Sequence, residues 1–266
     1  MKSTLLIIDA MNLIRRIYAV QEKQHGESPA ALLATESTAC NALKKLLKIH
    51  QPTHVICVFD SHAPSWRHQV CPEYKQGRKP IPAFLKADLP KIQDLFFEMG
   101  IDSLITEGDE ADDLIATLAN KMAKSQQKSI IVSTDKGFYQ LLNENIIIYD
   151  YFQTRYTDAL RVKNKMQLLP TQLVDYWALT GISSSSIKGV EGIGPKGALA
   201  LLQQHASLNN ILNIKSDELD KRVVKVQCNQ TDALLAKKLV QLQTEIQLGF
   251  NLKDLRINTT KHAMLK

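Results

Sequence analysis

Three short apolar runs in this chain each end in an aspartate, and that repetition limits the possible folds more than any other feature. They are Leu5-Leu6-Ile7-Ile8 before Asp9, Val55-Ile56-Cys57-Val58-Phe59 before Asp60, and Ile130-Ile131-Val132-Ser133-Thr134 before Asp135. Each is built of β-branched or bulky residues without Pro or Gly, which predicts strands. Helical segments separate them, so the expected class is α/β, a parallel sheet with its strand ends along one edge and helices on both faces. In open sheets of this kind ligands bind at the carboxyl edge. One aspartate after one strand is ordinarily a turn former or a helix cap. Three of them ask for a common purpose.

A fourth acidic element supplies it. Between residues 106 and 115 the chain reads as a helix start, with Asp109 as N-cap, Glu110, Asp112 and Asp113 in the first turn, and Leu114, Ile115 and Leu118 following at helical spacing. Glu110 and Asp113 share one face, and Asp112 points roughly a quarter-turn away, at about 100° per residue. Acids at a helix N-terminus are commonplace, because the free N–H groups and the dipole favour negative charge. Number argues for more here. Up to six carboxylates on one rim repel one another unless a cation stands between them, and a hard ion of the Mg²⁺ type satisfies that need.

The rest of the chain bounds the partner. A length of 266 residues, 44% of them hydrophobic, is ample for one large or two modest domains. No apolar run approaches the roughly 18 residues of a membrane span, and the start carries no signal-peptide pattern, so a cytoplasmic protein is expected. Cys40, Cys57, Cys71 and Cys228 lack metal-ligand spacing and read as reduced thiols. The net charge is +6 despite the acidic cluster, which fits a polyanionic partner.

Two segments are candidates to meet that partner. Residues 61–82 hold Pro64, Pro72, Pro80 and Pro82, the cations Arg67, Lys75, Arg78 and Lys79 against the single acid Glu73, and the aromatics Trp66 and Tyr74. A lone basic run is usually a solvated loop; this one leaves directly from Asp60, and interleaved cations and rings suit single-stranded nucleic acid. Beyond Pro170 the pattern is helical and contains Gly192, Gly194 and Gly197, which match the dinucleotide fingerprint G-x-G-x-x-G. The context fails, because no strand precedes it. A tight hairpin between helices fits better, with Pro195 at a helix N1 position and the backbone of Gly192, Ile193, Gly194, Pro195, Lys196 and Gly197 open to a phosphate.

Taken together, the motifs ending in Asp9 and Asp60, the pairs Trp66-Arg67 and Tyr74-Lys75 with Arg78, the cluster Glu110, Asp112 and Asp113, Ser133-Thr134-Asp135-Lys136, and Gly189-Val190-Glu191-Gly192-Ile193-Gly194-Pro195-Lys196 resemble the bacterial 5′-nuclease, or flap endonuclease, family, in particular its stand-alone exonuclease IX type. The likeness runs from residue 5 to about residue 250. It implies a PIN-like nuclease core at 1–165, with an arch at 61–90, and an all-α helix-three-turn-helix module at 166–266. It also implies a monomeric, nucleoid-associated enzyme that cuts 5′-flap DNA near the single-strand/duplex junction and leaves a 5′-phosphate. Mg²⁺, or Mn²⁺ in its place, would be held by Asp112, Asp9, Asp60, Glu110 and Asp113. K⁺ would be held by the backbone carbonyls of Leu179, Thr180, Lys188, Val190 and Ile193. Lys75 and Arg78, assisted by Arg16, would stabilise the scissile phosphate, and Tyr74 would stack on the terminal base.

This chain departs from the family where Gly137, Ile182 and Ser185 stand in place of carboxylates of a second metal site, leaving Asp135 alone there. Flap cleavage with less demand for protein ligands at a second ion is therefore expected. The rival is a weak or inactive module that only binds DNA structures. A ribonuclease of the PIN type is disfavoured by the glycine hairpin.

Overall fold

The computed structural model describes residues 3–61, 63–106, 108–215 and 220–257 of the chain. Residues 1–2 and 258–266, included in the expected module boundaries, lie outside them. Six strands form one sheet: β1 (Thr4–Asp9), β2 (His54–Val58), β3 (Ser103–Leu104), β4 (Lys128–Val132), β5 (Ile146–Asp150) and β6 (Arg155–Thr157), in the order β3-β2-β1-β4-β5-β6. β1 is central and runs parallel to both neighbours, with Ile8 level with Cys57 on one side and Val132 on the other. The chain fills one flank of β1 with β2 and β3, then crosses to build β4 and β5. The strand order therefore reverses at the carboxyl end of β1, where an open α/β sheet leaves a crevice. Asp9 is the last residue of β1, and Asp60 and Asp135 follow β2 and β4 by two and three residues.

The sheet is buried on both faces, as its near-continuous apolar strands demand. Leu5 and Ile7 join Leu114, Ile115 and Leu118 of α5 (Ala111–Lys124). Leu6 and Ile8 face α1 (Ala10–His25), α2 (Pro29–His50) and α4 (Ala83–Glu98), with α3 (Trp66–Val70) lying in the connection between β2 and α4. On α2, Leu43, Leu46 and Leu47 are buried, whereas Leu33, near its N-terminus, is 59% exposed. β3 is short and pairs with β2 only over Ser103–Leu104. β6 was not anticipated and is antiparallel to β5, an edge strand closing a parallel sheet.

The helical segment comprises α6 (Ala159–Met166), α7 (Leu173–Thr180), α8 (Pro195–His205), α9 (Leu208–Leu212), α10 (Lys221–Cys228) and α11 (Gln230–Val240). Its apolar side chains, among them Leu179, Leu201 and Ala236, continue the cluster that covers the α5 face of the sheet. After α11 an extended strap returns over α5. The Gln243 amide donates to Asp113 Oδ1 at 2.9 Å, and the Thr117 hydroxyl donates to the Gln243 carbonyl at 3.3 Å. Among the described residues no helix is long and apolar enough to cross a membrane.

Candidate active site

The crevice at the switch point opens into a cleft of about 670 Å³ whose lining includes Asn12, Arg78, Glu110, Asp112 and Asp135. Asp9 caps α1, accepting from the Asn12 amide at 3.1 Å, and takes the Ser133 hydroxyl at 2.7 Å on its other oxygen. Asn12 Oδ1 in turn accepts from the amide and hydroxyl of Thr134, both at 3.1 Å. These bonds lock the ends of β1 and β4 side by side. Asp60 Oδ1 accepts from the Ala111 amide at 3.3 Å, which ties the β2 loop to the first turn of α5. Asp135 folds back on the Gly137 amide at 2.7 Å.

Asp9, Asp60, Asp112 and Asp135 stand close enough to feel one another's charge. Burial, reinforced by Asp60 and Asp135 and opposed by the Ser133 and Asn12 hydrogen bonds, pushes Asp9 up to about 7. Asp112 is held well above the usual carboxylate range by burial and by Asp135, Asp9 and Asp60, with Lys75 opposing them. Four chain segments thus bring Asp9, Asp60, Asp112 and Asp135 within electrostatic reach of one another. Among the described residues, however, no three His, Cys, Asp or Glu side chains already stand as a ready-made metal cage.

The acidic turn divides differently from the expectation. Glu110, not Asp109, is the N-cap of α5, and it caps without a side-chain bond because its carboxylate is engaged elsewhere. It accepts the Ser65 hydroxyl at 2.7 Å, the Tyr74 hydroxyl at 3.1 Å and Lys75 Nζ at 2.8 Å. Burial would raise its carboxyl, but Lys75 and Arg67 outweigh that and hold it below the ordinary range. Asp113 does not join the cleft acids. It is fully buried, and its two oxygens accept from Arg67 Nη1 at 2.6 Å, Arg67 Nη2 at 2.8 Å, Trp66 Nε1 at 3.1 Å and the Gln243 amide at 2.9 Å. Four donors fill the roughly four lone-pair positions of a carboxylate, so none is left for an ion.

Two further expectations are corrected. Tyr74 is only 6% exposed, with its ring edge-on to His68 and its hydroxyl on Glu110, so it offers no free face to a base. The Arg16 guanidinium lies 4.4 Å over the Phe152 ring instead of reaching toward the acids. Lys75 does lie beside the acids of the cleft. Burial works against its charge, yet Asp112 and Glu110 prevail and raise it above the ordinary lysine range. Its backbone is left-handed, at φ 58°, and its amide donates to the Ser185 carbonyl at 2.9 Å. Ser185, one of the positions lacking a carboxylate, therefore anchors the backbone of Lys75.

The glycine hairpin is held by a backbone crossing. A Cβ on Gly189 would fall 2.4 Å from the Leu179 carbonyl oxygen and 2.4 Å from the Gly181 nitrogen, so only glycine lets the two segments pass. The Val190 amide closes the crossing on the Leu179 carbonyl at 2.9 Å. Gly192 has φ 74°, and Pro195 opens α8 at its first turn with no side-chain cap, leaving backbone N–H groups free at its start. Sequence reasoning missed Lys225 and Arg222. α10 sets them against the hairpin, with Lys225 Nζ 2.7 Å from where a Cβ on Gly192 would be. No local motif marks them; only the packing of α10 does.

With this geometry, comparison with known proteins is informative. The 5′-3′ exonuclease N-terminal resolvase-like domain matches residues 4–167, and the 5′-3′ exonuclease C-terminal SAM fold matches residues 168–263. The chain belongs to the 5′-3′ exonuclease family. Its relatives include flap endonuclease Xni of Psychromonas ingrahamii, 70% identical over 96% of this chain and 98% of that protein. Flap endonuclease Xni of Aeromonas salmonicida is 52% identical over 95% and 96%. The zinc-bound T5 5′-exonuclease superimposes with a TM-score of 0.75 at 20% identity, over 91% of this chain and 90% of that one, a likeness of fold. The chain is a nuclease, a hydrolase of DNA phosphodiester bonds.

Proposed function

We propose that this chain cuts 5′-flap DNA near the junction of single strand and duplex, leaving a 5′-phosphate, with Mg²⁺ or Mn²⁺ held in the cleft. The observation that carries this reading is the gathering of Asp9, Asp60, Asp112 and Asp135 at the switch point of the sheet, where burial, reinforced by their mutual repulsion, raises Asp9 and Asp112. Oxygen donors in this number, crowded and partly desolvated, fit a hard divalent cation. Asp112, Asp9 and Asp60 would hold it, with Glu110 joining if Lys75 moves aside for substrate, while Asp135 stands alone where Gly137, Ile182 and Ser185 supply no further carboxylate. When bound, such an ion acts as a Lewis acid on a phosphate and lowers the pKa of water.

The chain's own side chains do the rest. Lys75 and Arg78 bring positive charge to the cleft from the 61–90 segment, where charge builds on the scissile phosphate. Arg15 donates to the Lys79 and Pro80 carbonyls at 3.1 and 3.4 Å and so holds the other base of that segment. The N–H groups at the start of α8, with Lys196 and Lys225, would grip duplex phosphates without reading sequence. The carbonyls of Leu179, Thr180, Lys188, Val190 and Ile193 would hold K⁺, a reading supported by the crossing of Gly181 and Gly189, which brings both stretches together. All these groups lie on one chain, so a monomer suffices. The reading is tested with a labelled 5′-flap duplex: cleavage at the junction in Mg²⁺, stopped by chelation, is expected, and uncut flap in both Mg²⁺ and Mn²⁺ refutes it.

A further inference from the structure

We propose that Arg67 and Asp113 form a buried coupling that fixes the catalytic turn of α5 against the strap leaving the helical segment, which makes Arg67 a positioning residue for cleavage and Asp113 its counter-ion. The idea rests on the flap-cleavage reading above. Arg67 is 1% exposed and commits four of its five N–H donors to hydrogen bonds. Nε donates to the Leu239 carbonyl at 2.8 Å, Nη2 to the Gln241 carbonyl at 2.9 Å, and Nη1 and Nη2 together grip Asp113. Nη1 also stands 3.4 Å from Glu110 Oε2. One guanidinium thus touches the end of α11, the start of the strap, and two carboxylates at the start of α5, that of its N-cap Glu110 and that of Asp113.

Asp113 repeats the connection from the other side. Its Oδ1 holds Nη2 and the Gln243 amide at once. Asp112, the neighbouring residue, faces the cleft from the same helical turn, so its direction is set by how firmly Asp113 is seated. The strap follows α11, and α11 packs on α7, the helix that leads into the glycine hairpin. A rigid path therefore runs from the hairpin segment through α7, α11 and Arg67 to Asp112. A lysine cannot replace the fork, because a single ammonium lacks the planar geometry that serves four acceptor groups together.

The test uses the full chain and the variants Arg67→Met, Asp113→Leu, their combination, Arg67→Lys and Asp113→Asn. Breaking one partner strands a buried charge, so each apolar single variant should melt well below the parent, and the combination should regain most of that loss. In the refolded combination, flap affinity in Ca²⁺ should hold, while the single-turnover rate in saturating Mg²⁺ falls by roughly 10²-fold, the scale set by small misplacements of catalytic groups. Arg67→Lys should give an intermediate rate at an unchanged Mg²⁺ requirement. A parent-like rate in the combination, or in Arg67→Lys should the combination not fold, overturns the positioning role. A Mg²⁺ requirement raised about tenfold by Asp113→Asn alone, a shift of one decade in affinity, overturns its exclusion from the ligands. If the parent itself leaves flap uncut, the functional reading fails, and the coupling is judged by melting alone: strictly additive losses in the combination would refute it.

Discussion

Lys75 Nζ lies 2.8 Å from Glu110 Oε2 and 3.9 Å from Asp112 Oδ2, so the cation of the 61–90 segment rests on acids of the cleft while its backbone amide is fastened to Ser185. The residue that would meet the phosphate is already ordered, and its charge answers carboxylates that would otherwise repel. Lys75→Ala should slow single-turnover flap cleavage by roughly 10²-fold or more and shift flap affinity in Ca²⁺ far less. Quenched-flow kinetics decides it, and an unchanged chemical rate would remove Lys75 from the reaction.

Asp9 gives the metal-free protein a pH signature. Its carboxyl is raised from an ordinary 3.8 to about 7, so between those values the native state binds a proton that the unfolded chain releases. The stability this adds is complete below pH 3.8 and is lost as pH rises through 7. Asp9→Asn removes the charge but keeps hydrogen-bonding groups for Asn12 and Ser133. In chelator it should therefore be more stable than the parent at pH 8, by up to roughly 4 kcal/mol from 1.36 kcal/mol per pH unit, with the gap closing toward pH 4. Denaturant melts across that range measure it; parallel curves for the two proteins would contradict the assignment.

Gly189 can be tested alone. An added Cβ would meet the Leu179 carbonyl oxygen and the Gly181 nitrogen at 2.4 Å each, and both are backbone atoms that cannot swing aside. Gly189→Ala should cost about 3 kcal/mol or more, the upper end of overpacking penalties, and should weaken duplex binding by deforming the hairpin. A parent-like melting midpoint with normal duplex affinity would mean the crossing is looser than described.

Lys196 and Lys225 should act as phosphate contacts. Each alanine variant is expected to weaken duplex binding without changing sequence preference, and to reduce the slope of log K against log salt by about 1. Salt titrations by fluorescence anisotropy provide the check. If Lys225→Ala leaves the slope untouched, the cation beside Gly192 serves the fold and not DNA.

The sheet and its acids were legible because a period-free apolar run ending in aspartate leaves few alternatives, and Asp9, Asp60 and Asp135 do end at one edge. The roles of adjacent acids were not. Asp112 and Asp113 are one residue apart, and nothing local tells which faces the cleft and which meets Arg67. That partner lies 46 residues away, and the pair is sealed by carbonyls and an amide from residues 239–243. Tyr74 misled for a related reason: an aromatic in a basic, proline-rich stretch reads as exposed, yet Glu110 draws its hydroxyl inward. Lys225 and Arg222 carried no signal, since only the packing of α10 brings them to the hairpin.

The most direct measurement is the single-turnover rate of Asp112→Asn on a labelled 5′-flap duplex in saturating Mg²⁺, alongside its flap affinity in Ca²⁺. Loss of cleavage by roughly 10³-fold or more, about 4 kcal/mol of barrier, with affinity nearly intact, is the expected result. A variant that cuts at the parent's rate would show that the acids gathered at the end of β1 do not run the chemistry.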